Sequence, residues 1–176
     1  EWFVYESTKW RLQPIAAEED ADKARAARKQ RNEKIVDLAQ KAVGLVHDKP
    51  EKNRVFQTAI RHLIDARLQL ALAGEKDHID AMYDDAAALA KRDPQSHVAA
   101  EAARALVELA YINASKSIQK DDTAWLQEFA ILATHFATQF PREEPRSAHL
   151  LFTAAQSCEN YGLLNEAMNC YATILE

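Results

Sequence analysis

Glycine is almost missing from these 176 residues, standing only at Gly44, Gly74 and Gly162. A phosphate-binding loop, a dinucleotide fingerprint and a nucleophile elbow each need several glycines close together, so those chemistries are excluded. Cysteine occurs twice, as Cys158 and Cys170. That is neither a CxxC pair nor a four-ligand zinc set. The two thiols read best as buried small hydrophobes, with pairing across antiparallel helices as the other reading. No run of about eighteen apolar residues exists, so no membrane span is expected. Val, Ile and Thr do not gather in alternating runs, so no strands are expected.

Charge of one sign is also scarce. The net charge is −5, with acids and bases interspersed. The densest basic stretch, Lys23 to Lys34, holds six basic residues but has Glu18, Glu19 and Asp20 just before it and Asp22 and Glu33 at its edges. It reads as a solvated helix face laced with i,i+4 pairs, not as a nucleic-acid groove. No HExxH occurs, and no two of His47, His62, His78, His97, His135 and His149 lie three or four residues apart. They are expected in solvated or capping roles, with no metal and no cofactor. Asp84-Asp85 and Asp121-Asp122 are adjacent and point apart on a helix, and Arg61 with Asp65 is an i,i+4 ion pair. No catalytic constellation emerges, and the chain is expected not to be an enzyme.

What is present is a period. Pro50, Pro94 and Pro141 stand 44 and 47 residues apart. The same apolar spacing precedes each: Ile35, Leu38, Ala42, Leu45; Ile79, Met82, Ala86, Leu89; Leu126, Phe129, Ala133, Phe136. Steps of three, four and three residues are one face of an α-helix. With 48% hydrophobic residues, the chain can bury a core as one helical-repeat domain over 1–176.

The pattern predicts an N-terminal cap and first helices over 1–49, with hairpins over 50–93, 94–140 and 141–176. The opening, Trp2, Phe3, Tyr5, Trp10 and Leu12, is an aromatic helix that covers the end of the array. Residues 15–48 form one long helix or two broken near Arg31-Asn32. Asp48 and Pro50 start the next helix, which Gly74 stops. A further helix covers about 77–92. Asp93-Pro94 opens one of about 95–117, and Asp121, Asp122 and Thr123 offer caps for Trp125–Phe140. Pro141 to Pro145 starts another to about Tyr161, and Gly162 turns the chain into the last. Short connections make successive helices antiparallel neighbours.

The last hairpin carries a resemblance. Leu151, Ala154, Ala155 and Cys158 precede the turn at Gly162; Leu164, Ala167 and Tyr171 follow it. The stretch from Tyr161 to Tyr171 resembles a tetratricopeptide (TPR) repeat, whose closing proline would fall just past Glu176. The earlier periods are longer than that family's and lack its full set of small and aromatic positions. The resemblance implies an all-α fold of antiparallel hairpins stacked as a right-handed superhelix, and a non-catalytic scaffold for a protein or peptide. In that family the first helix of each hairpin lines the concave face. Carried over, this implies His149, Phe152, Gln156, Glu159 and Asn160, with His149 and Phe152 foremost. Sliding back by helical phase adds Glu101, Arg104 and Glu108, then Arg61, Asp65 and Gln69.

The Trp-rich opening, charged helix and Ala-rich hairpins also resemble the helical region ahead of thioredoxin-like domains in bacterial envelope redoxins. On that alternative the chain is an appendage of an oxidoreductase, and its partner is a thioredoxin-like domain of the same full-length protein. The chain begins with glutamate and closes inside an apolar-periodic stretch. It reads as a piece of a longer protein, which leaves its compartment open between cytoplasm and bacterial envelope.

Overall fold

The computed structural model describes residues 1–14, 21–117 and 122–175, with Glu144 described in its backbone alone. Among the described residues the protein is all-α. Its helices are α1 (Trp2–Leu12), α2 (Ala21–Val46), α3 (Asn53–Leu72), α4 (Lys76–Arg92), α5 (His97–Ser117), α6 (Ala124–Gln139), α7 (Glu144–Asn160) and α8 (Leu164–Leu175). Residues 21–46 form one unbroken helix, so the break weighed at Arg31-Asn32 does not occur. The helix start expected at 15 and the cap expected at Asp121 lie outside the described residues.

The glycine stops are where the sequence placed them. Gly74 has φ +98° and Gly162 φ +75°, a left-handed backbone that a side chain would strain. At the first, Glu75 N–H donates to Leu70 O at 3.1 Å and Gly74 N–H to Ala71 O at 3.0 Å. At the second, Leu163 N–H reaches Cys158 O at 2.8 Å and Gly162 N–H reaches Glu159 O at 3.1 Å. Both are Schellman closures, which satisfy the last carbonyls of a helix and turn the chain back.

The proline starts differ from expectation. Pro50 and Pro141 open single 3-10 turns, Pro50–Lys52 and Pro141–Glu143, before the α-helices begin. Asp48 does not cap α3, whose first residue is Asn53 and whose N-cap, Lys52, makes no side-chain capping bond. Before α5 the cap is Ser96, not Asp93: its hydroxyl accepts from Ala99 N–H at 3.3 Å and donates to Asp93 O at 2.8 Å. Asp122 does act at α6, where its Oδ1 accepts from Ala124 N–H at 3.0 Å.

The chain divides into two compact units, Glu1–Asp84 and Asp85–Glu176, with the boundary inside α4. In the first, α2 and α3 pack along their length and α1 lies against both. Ile35, Val36 and Ala39 of α2 interlock with Leu63, Ala66 and Leu70 of α3, and Trp10 of α1 leans on the same cluster. The alanines let the backbones approach, and the branched residues fill the space between them. The repeat pattern fails at one position here: Leu45, grouped with Ile35, Leu38 and Ala42, is exposed. It is the penultimate residue of α2, and its side chain is left uncovered there.

Polar pins cross this apolar interface. Ser7 of α1 is wholly buried, and its hydroxyl donates to Val4 O at 2.9 Å. Its oxygen therefore accepts Nδ1–H of His62, 2.8 Å away on α3. His62 was expected at a solvated position, yet it is buried. Burial, then the nearby Arg11 and Arg61 cations, lowers its pKa from 6.5 to about 4. Arg11 holds Asp65 at 2.6 Å, so Asp65 bridges to α1 as well as lying one turn from Arg61. Lys29 of α2 pairs with Glu75, and Arg67 Nη1 donates to Ala81 O at 2.9 Å.

In the second unit α6 is central, packing against α5, α7 and α8. Its inward face, Leu126, Phe129, Ala133 and Phe136, is fully enclosed, as the repeat pattern predicts. Leu151, Ala154, Ala155 and Cys158 of α7 and Ala167 and Cys170 of α8 complete the core. Both cysteines are free thiols there. Burial, then Cys170 and Glu166, pushes Cys158 up to about 11, which keeps it protonated and inert. Alternate helices touch in the α6/α8 layer, whereas α5 and α7 are not comparably packed on each other.

Candidate binding groove

Because α5 and α7 stand apart above α6, an open groove runs between them. The inward positions of α5 are small or branched, among them Val98, Ala102, Ala105 and Leu109, and all four are buried. Ala100, Val107 and Ala114 bury the opposite side too, so the polar residues keep to one flank, in steps of four, three, four and three: His97, Glu101, Arg104, Glu108 and Tyr111. The facing wall on α7 is Pro145, Arg146, His149 and Leu150, and the volume enclosed is about 740 Å³.

Beneath the charged end, Phe136 and Ala100 form a small apolar floor between Arg104 and Arg146. At the other end Tyr111 is exposed at its edge while its ring rests 5.2 Å from that of Phe129, tilted by 53°. This contact fixes the aromatic wall to the core.

The polar side chains of the groove are paired locally. His97 Nε2 lies 3.2 Å from Glu101, Arg104 Nη1 is 3.1 Å from Glu108, and Arg146 Nη1 is 3.4 Å from Glu143. Each pair lies within one helix or at its start, in the i,i+3 or i,i+4 relation of side chains on neighbouring turns. Such pairs stay in contact with water and open at small cost. The groove can therefore present donors and acceptors of both signs beside an aromatic and an aliphatic surface.

Four residues inferred from the sequence meet here: His149, Glu101, Arg104 and Glu108. Others do not. Gln156 and Asn160 are exposed farther along α7, beyond the groove. Phe152 and Glu159 turn toward α8 instead: the Phe152 ring is 6.4 Å from Tyr171, whose hydroxyl donates to Glu159 at 3.2 Å. Arg61, Asp65 and Gln69 belong to α3 in the other unit, where Asp65 is engaged by Arg11. His97, Tyr111, Pro145, Arg146 and Leu150 were missed by the sequence reading. Helical phase alone could have supplied two of them, since His97 and Tyr111 lie seven residues either side of Arg104.

A second trough, of about 560 Å³, lies between α6 and α8 and is lined by Ile131, Thr134, His135, Thr138, Glu166 and Asn169 among others. The Ser7–His62 contact has the elements of a nucleophile and base, but both side chains are buried and no substrate can reach them. Among the described residues no three or more His, Cys, Asp or Glu side chains gather as metal ligands. Nor is any described helix long and apolar enough to cross a membrane. Comparison with family models, curated proteins and solved structures finds no match to this chain.

Proposed function

We propose that this chain is a non-catalytic binding scaffold, and that its α5/α7 groove holds an extended segment of a protein or peptide. One observation carries the reading. His149, implied by the tetratricopeptide resemblance, and Glu101, Arg104 and Glu108, added by helical phase, line a single groove together with Tyr111 and Leu150. The stripe from His97 to Tyr111 runs about 21 Å at 1.5 Å per residue, the span of about six residues of extended chain. An open trough of that length suits a linear segment better than a small molecule, which an enclosed cavity would hold.

The finer architecture belongs to the same reading: the hairpins of the second unit form a TPR-like stack. Its support is the burial of Leu151, Ala154, Ala155, Cys158 and Ala167 around the left-handed turn at Gly162.

Selection of peptides from a displayed random library against the chain, followed by calorimetric titration, tests the proposal. Arg104→Ala combined with Tyr111→Ala is expected to weaken the selected peptides at least about tenfold, a change of roughly 1.4 kcal/mol. Peptides that bind the double variant as tightly as the parent chain would remove the groove from consideration.

A further inference from the structure

Helix α8 carries a line of apolar side chains that the rest of its unit leaves uncovered. Leu164 is 60% exposed, Met168 68% and Leu175 87%. Tyr171, between the last two, is partly exposed, and Phe152 of α7 meets its ring edge-on and widens the patch. Steps of four, three and four residues keep Leu164, Met168, Tyr171 and Leu175 within one narrow stripe. The exposed positions beside it are Asn165, Asn169 and Ala172, which carry no charge. A contiguous apolar patch of this kind on a helix marks a contact surface.

We propose that this stripe pairs with the same stripe of a second copy of the chain, helix against antiparallel helix about a two-fold axis. Two features select a copy as the occupant. The spacing reads identically from either end. An axis between Met168 and Tyr171 therefore sets Leu164 against Leu175 of the partner subunit and Met168 against Tyr171 of the partner subunit. In addition, a self-pairing face brings the side chains beside the axis close to their own copies, so any charge there would repel its copy. The α8 stripe has none; Glu159 sits at its rim, bonded to the Tyr171 hydroxyl. The exposed line on α1 fails this criterion, because Lys9 interrupts Trp2, Tyr5 and Leu12. The paired segments overlap over about 16 Å, which places the contact at the small, reversible end of interfaces.

Sedimentation equilibrium over a range of concentrations tests the proposal. The average mass should rise from 19.8 kDa toward twice that value as concentration increases. Met168→Glu should weaken association at least about tenfold, and Met168→Lys alone should do the same. An equimolar mixture of the two variants should associate again, because unlike charges then meet across the axis. Met168 is mostly exposed, so neither change should disturb folding, and an unaltered far-ultraviolet circular dichroism spectrum would establish this. Leu164→Glu provides a second variant at the end of the stripe.

A chain that stays monomeric at every concentration overturns the proposal and assigns the stripe to a different protein or segment. So does a dimer indifferent to Met168→Glu, or one abolished by Trp2→Glu instead.

Discussion

In Glu1–Asp84 charged and polar side chains reach from one helix to the next, whereas along the groove of Asp85–Glu176 they pair within their own helix. Arg11 reaches Asp65, Lys29 reaches Glu75, and Ser7 reaches His62. By contrast His97 lies beside Glu101, and Arg104 beside Glu108, one turn away on the same helix. A side chain committed to a neighbouring helix fixes how the helices sit and has little left for a visitor. A local pair releases both ions for a few tenths of a kcal/mol, so similar residues hold the fold in one unit and remain available in the other.

The largest break in this comparison should come from the core of the second unit. Phe129 is wholly enclosed, and the groove residue Tyr111 rests on it. Phe129→Ala is expected to cost about 3–5 kcal/mol in urea unfolding, because a ring-sized void opens where α6 meets its neighbours. Peptide binding should fail with it, since Tyr111 loses its support. A loss below about 1 kcal/mol would mean that the helices can close the void, and that the groove wall is not fixed by the core.

The parts of the fold that depend on local chemistry were legible in the sequence. Gly74 and Gly162 closed their helices because a left-handed residue is a property of one position. The Phe129–Phe136 face is read from period alone. What was not legible depends on contacts between distant residues. His62 looked solvated because its partner, Ser7, lies 55 residues away. Leu45 fitted the repeat but lies exposed at the end of its helix. Phe152 and His149 are three residues apart on one helix, yet the first faces Tyr171 and the second the groove. The tetratricopeptide resemblance placed both on one face but could not say which neighbour each would meet.

The next largest effect separates the units by pH. His62 has its pKa lowered from 6.5 to about 4, so the folded chain keeps it neutral while the unfolded chain takes up a proton near pH 6.5. Stability therefore rises with pH between about 4 and 6.5 and is lost as pH falls through that window. The full loss is about 3 kcal/mol by pH 4, at 1.36 kcal/mol for each pH unit of displacement. Subtracting the urea stability of His62→Gln from that of the parent, at pH 7 and again at pH 4.5, isolates this contribution. Equal differences at the two pH values would show that His62 protonates as easily in the folded chain as in the unfolded one. The buried Ser7 contact would then not define its tautomer.

The smallest effect tests the distinction between fixed and available charges most directly. Double-mutant cycles at Arg11/Asp65 and Arg104/Glu108 compare an ion pair that joins two helices with one inside a single helix. The first joins groups 54 residues apart at 2.6 Å and should reach the upper end of exposed pairs, about 1 kcal/mol. The second should couple by about 0.3–0.5 kcal/mol, as exposed i,i+4 pairs do. Arg104→Ala alone should therefore leave unfolding almost unchanged while it weakens groove binding. If Arg104 and Glu108 proved as strongly coupled as Arg11 and Asp65, a ligand would have to break a structural tie to reach either. The groove would then be a braced surface and not an open one.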